Sequence, residues 1–96
     1  MKLTPFAAEE LRYKIGVLID SGQEMFDSIN HTEAELESLC NKITSKDEVS
    51  LDEWEYKLLK EESEDLLTIA ETNLDAGFPE YLKDVRKLRK LVKKFE

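Results

Sequence analysis

The chain has 96 residues, 41% apolar and 38% charged, with three glycines, two prolines and a formal net charge of −8. This length makes one domain at most, and a chain so short buries only ~60–65% of its unfolded surface. The composition excludes a disordered polypeptide. The absence of a long apolar run or a signal-like start argues against membrane insertion and secretion. Cys40, the single cysteine, has no internal disulfide partner, so the expected setting is the cytoplasm.

The first predicted element starts at Thr4-Pro5, a capping side chain followed by proline at the first helical position, with Glu9 and Glu10 behind them. From there a ladder runs through Leu11, Ile15, Leu18, Gly22, Met25, Ile29, Thr32, Leu36, Leu39 and Ile43, alternating steps of four and three. That period, near 3.5, keeps one helix face towards a partner in the manner of a coiled coil. Two places can interrupt it. Asp20-Ser21-Gly22 contains a poor helix former, with Ser21 and Glu24 in capping-box relation. Asn30-His31-Thr32 is followed by Glu35 in the same relation to Thr32. The unbroken phase favours one long helix, and a bend near Gly22 is the alternative.

Residues 44–49 are polar and read as a connector. Ser50 and Glu53 spell a capping box for a second helix, whose apolar stripe is Leu51, Trp54, Leu58, Leu66, Ile69 and Ala76, with Glu62 and Asn73 as polar interruptions. Gly77 ends it, since a left-handed stop suits glycine. A third helix opens at Pro79, with Tyr81, Val85, Leu88, Val92 and Phe95 on one face and Lys83, Arg86, Lys87, Lys90, Lys93 and Lys94 on the other. The expected fold is all-α. It is a single helical domain over 1–96, built as an antiparallel helical hairpin plus a C-terminal helix, in a three- or four-helix bundle.

From Pro79 to Glu96 seven basic residues face three acidic ones, a balance of +4. The rest carries seven basic and nineteen acidic residues, a balance of −12. An acidic body with a basic tail argues against nucleic acid and membrane as partners. The basic face is expected to be neutralised internally. His31 reads as a partly exposed helix residue and Cys40 as a packed one.

A continuous first helix would span ~60 Å, more than the other two can cover. Leu11, Ile15 and Leu18, and Leu36, Leu39 and Ile43 with Trp54, are therefore expected to form an interaction surface or a homodimer seam. The function read from this is a non-catalytic small regulator or inhibitor that binds another protein and needs no cofactor. The alternative is a carboxylate site. Glu62 and Asp65 lie three apart on one helix and Glu33 and Glu37 four apart on another, so an antiparallel register brings them towards one Mg²⁺. The segment Glu62-Ser63-Glu64-Asp65-Leu66-Leu67 resembles the ExxD-Leu-Leu stretch of the all-α nucleotide pyrophosphohydrolases. Gly77-Phe78-Pro79-Glu80 resembles the turn that follows it in that family. Glu33-Ala34-Glu35-Leu36-Glu37 stands where the family carries EExxE, without the second glutamate. The resemblance implies a Mg²⁺-dependent nucleotide pyrophosphohydrolase-like enzyme.

Overall fold

The computed structural model describes residues 1–21 and 31–96. Among them are four helices and no strand: α1 Pro5–Asp20, α2 Glu33–Lys42, α3 Glu53–Asp75 and α4 Tyr81–Lys94. The all-α class holds. Contacts divide the chain into two compact units, Met1–Ser50 and Leu51–Glu96. In each, two helices pack together, α1 with α2 and α3 with α4.

Unit 1 opens as its sequence dictates. The Thr4 hydroxyl accepts from the Ala7 amide at 3.1 Å, and Pro5 sits in the first turn, where its missing N–H costs nothing. One long helix is not what forms. α1 ends at Asp20, and the Ser21 N–H bonds back to the carbonyls of Val17 and Leu18. Thr32 has an extended backbone (φ −81°, ψ 161°), which no helix can pass through, and it is the N-cap of α2. Its hydroxyl accepts from the Glu35 amide, and the Glu35 carboxylate accepts from the Thr32 amide, both at 3.2 Å. This reciprocal cap prevails over the heptad phase. Gly22, Met25 and Ile29 of the ladder lie outside the described residues, as does the expected bend at Gly22. The ladder's two ends keep their phase: Leu11, Ile15, Leu18, Leu36, Leu39 and Ile43 are all buried. The Cys40 thiol lies 4.0 Å from the Arg12 carbonyl, so the end of α2 returns beside the first half of α1, antiparallel. Beyond α2, Met1 and Val49 exchange backbone hydrogen bonds of 3.0 and 2.7 Å, as in a single rung of an antiparallel ladder.

Unit 2 is a hairpin of α3 and α4. The cap of α3 lies two residues later than Ser50: Asp52 is the N-cap, and the Glu55 carboxylate accepts from its amide at 2.9 Å. The turn is a Schellman motif. The Gly77 amide bonds to the Leu74 carbonyl and the Phe78 amide to that of Asn73, with Gly77 at φ 101°. On α4 the buried face is Val85, Leu88, Leu91 and Phe95, close to the predicted stripe. On α3 the buried face is Glu55, Leu58, Leu59, Ser63, Leu66 and Ala70, while Ile69 is 48% exposed and Ala76 is exposed. The seam is thus turned by roughly one residue's ~100° step from the stripe that the large apolar residues suggest. The physical reason is size. Ser63 and Ala70 let α4 approach closely, and the buried Ser63 hydroxyl donates to the Lys60 carbonyl at 2.8 Å, so it brings no unsatisfied group inside.

Candidate functional site

The residues expected to meet a partner are placed differently by the fold. Leu11, Ile15, Leu36 and Leu39 have no exposed surface, and Leu18 and Ile43 are buried. Trp54 is half-buried. The reason is the break between α1 and α2. Among the described residues no overhanging helix is left to cover, and the ladder's two ends are buried inside the chain. Among the described residues, what remains large, apolar and exposed is Tyr13 and Val17 on α1, Tyr56 and Ile69 on α3, and Phe78 and Leu82 at the turn and start of α4.

The four candidate metal ligands fall in different units. Glu33 and Glu37 are exposed on α2 in unit 1, and in unit 2 Glu62 is half-buried and Asp65 exposed on α3. Among the described residues no three histidine, cysteine, aspartate or glutamate side chains gather closely enough to hold a metal ion. Glu62 is not the polar residue of the seam; Ser63 and Glu55 are, at 0% and 2% exposure. Glu55 is legible in hindsight, because a glutamate three residues after an aspartate is a capping pair.

His31 is half-buried just before α2, with Nδ1 3.0 Å from a Glu35 carboxylate oxygen. The Thr32 amide, and then His31, hold the Glu35 carboxyl below its ordinary pKa of 4.5. Cys40 is a half-buried free thiol in the wall of an open cavity of about 630 Å³, between α1 and the end of α2. Its lining mixes Ala8 and Ile43 with Arg12, Tyr13 and Lys46. No pattern in the sequence announces this cavity, because its walls come from helix ends and the connector.

Charge organises unit 2. α3 carries eight carboxylates against two lysines, a net −6, and α4 carries seven basic residues against Asp84, a net +6. Arg89 of α4 reaches Glu71 of α3 at 3.2 Å. Internal neutralisation goes no further than part of α4. Lys83, Arg86, Lys90 and Lys93 are exposed and make no ion pair among the described residues. They recur at i, i+3, i+7 and i+10, a straight line about 15 Å long at ~1.5 Å per residue.

Comparison with protein-family models, curated proteins and solved structures finds no match. Among the described residues no helix is long and apolar enough to cross a membrane.

Proposed function

We propose that this chain is a non-catalytic helical protein that acts by binding another protein, as a small regulator or inhibitor. The observation that carries the reading is the outer face of α4. Four cations there make no ion pair among the described residues, and Phe78 and Leu82 are 51% and 42% exposed at the turn and start of the helix. Internal pairing would be the cheapest use of basic residues in so acidic a chain. A basic line with an apolar end, kept open, fits the rim-and-anchor make-up of protein interfaces. The single free cysteine fits a cytoplasmic setting. Capture from the source cell with the intact chain, repeated with Phe78→Ala and Leu82→Ala together, tests the proposal. One binder lost with the double variant supports it; the same set of proteins captured by both forms removes its basis.

The Mg²⁺-dependent enzyme stays a separate reading, drawn from the short resemblance around Glu62 and Asp65. A specific ligand of the native state must raise its melting temperature. The protein-binding reading expects Mg²⁺ to leave the melting curve unmoved. A saturable rise that Asp65→Asn abolishes would transfer support to the enzyme.

A further inference from the structure

We infer that the Lys83–Arg86–Lys90–Lys93 line of α4 is a docking strip for an acidic amphipathic helix of a partner protein. The inference rests on the protein-binding reading and names the partner's chemistry. Three kinds of anionic partner suit a basic helix, and the fold separates them. A basic helix lies on an anionic membrane by sinking its apolar face among the lipids. The apolar face of α4, formed by Val85, Leu88, Leu91 and Phe95, is buried in its own chain and is not available. A long polyanion such as duplex DNA is attracted by the strip but repelled by a chain of net charge −8. A short acidic helix meets the strip alone.

Its geometry also matches. Positions i, i+3, i+7 and i+10 form a straight row on a helix, so glutamates with the same spacing on a second helix stand opposite the four cations. Lys87 and Lys94 are already engaged within the chain and do not belong to the row. Arg89 is held by Glu71 at 3.2 Å. Leu82 lies four residues before Arg86 and is 42% exposed, which gives the partner's apolar edge a place to rest. Charge then sets orientation and encounter rate, and the leucine adds burial.

The test uses the full chain and a synthetic helical peptide with glutamates at i, i+3, i+7 and i+10 and leucines on the adjoining face. Binding is read by fluorescence anisotropy at low and high salt. The expected result is saturable binding that weakens as salt rises, and that falls by about tenfold or more in the variant K83E/R86E/K90E/K93E. The milder pair K83Q/K90Q, with helicity checked by circular dichroism, gives a smaller loss in the same direction and guards against misfolding of the fourfold variant. A Lys57→Glu change on α3 leaves binding in place. Absence of peptide binding overturns the inference. Tighter binding of duplex DNA or of anionic phospholipid vesicles than of the peptide also overturns it. So does strip-dependent self-association, which would make a second copy of this chain the occupant. If a protein captured from the cell binds the fourfold variant as well as the parent, the strip is not its site and the inference falls, while the protein-binding reading stands.

Discussion

The two units solve the same packing problem in different ways. In unit 1 the large aliphatic residues that a helical repeat predicts, Leu11, Ile15 and Leu18 with Leu36, Leu39 and Ile43, are all buried, with Ala7 and Ala8 beside them at the start of α1. In unit 2 both helices bury large residues, but on α3 they alternate with small and polar ones. Val85, Leu88, Leu91 and Phe95 are buried on one side, and α3 meets them with Leu58, Leu59 and Leu66 on a face that includes Ser63 and Ala70. The difference shows that apolar periodicity finds the seam where the large aliphatic residues that keep the helical phase are the ones buried. It misplaces the seam on α3, where Ser63 and Ala70 are buried and Ile69 is exposed.

The largest expected effect breaks unit 2. Phe95 is almost wholly buried and stands edge-on to Tyr56, with ring centroids 5.2 Å apart. Phe95→Ala should cost ~3–5 kcal/mol by chemical denaturation followed at Trp54. A loss below that range would mean α3 closes over the gap. Next comes the seam itself. Ser63→Leu should destabilise by ~1–3 kcal/mol through overpacking, whereas Glu62→Leu, one residue away and half-buried, should change stability far less. Equal effects from the two changes would restore the seam that the sequence suggests.

The two described glycines sharpen the contrast between the units, because an added methyl meets nothing within 4 Å at either. Only the backbone differs. Gly77 sits at φ 101°, so Gly77→Ala should cost ~1–2 kcal/mol. Gly16 lies inside α1, so Gly16→Ala should stabilise by ~0.5–1 kcal/mol. Thermal melts of the two variants should therefore move in opposite directions, and a shared sign would contradict the helix ends described here.

The smallest effect is one of pH. The Glu35 pKa lies below 4.5 in the folded chain, first because of the Thr32 amide and then because of His31. A lowered carboxylate pKa means the folded state binds fewer protons than the unfolded one. The stabilisation is therefore complete above pH 4.5 and is lost as pH falls through the lowered value. Helicity in unit 1 should drop across that acid window, and Glu35→Gln should flatten the dependence. An unchanged acid profile in the variant would show that the cap does not govern it.

Much of this fold was legible in the sequence for local reasons. The Thr4-Pro5 start, the Gly77 stop and the outward basic face of α4 depend on neighbouring residues, and each stands where expected. The break before α2 was written in Thr32 and Glu35 but was overruled by the ladder's phase. A period of 3.5 reports which face is buried, not whether the backbone between two buried residues is continuous. The residues expected to meet a partner show the same limit, since Leu11, Ile15, Leu18, Leu36, Leu39 and Ile43 are buried inside the chain while Trp54 is half-buried. The open row on α4 was hidden because charge totals do not say which lysines find a carboxylate within reach. Arg89 pairs with Glu71, and Lys90 beside it makes no ion pair among the described residues.

The chain's one tryptophan and one cysteine fall on opposite sides of its division. Trp54 is in unit 2 and half-buried near the start of α3; Cys40 is in unit 1 and half-buried beside α1. The molecule therefore carries a built-in optical reporter for one unit and a chemical reporter for the other. Indole emission follows the opening of the α3–α4 hairpin, and the rate of thiol labelling follows that of α1 and α2. Coincident midpoints would mean that the two units unfold as a single cooperative body, and separated midpoints that each has a stability of its own.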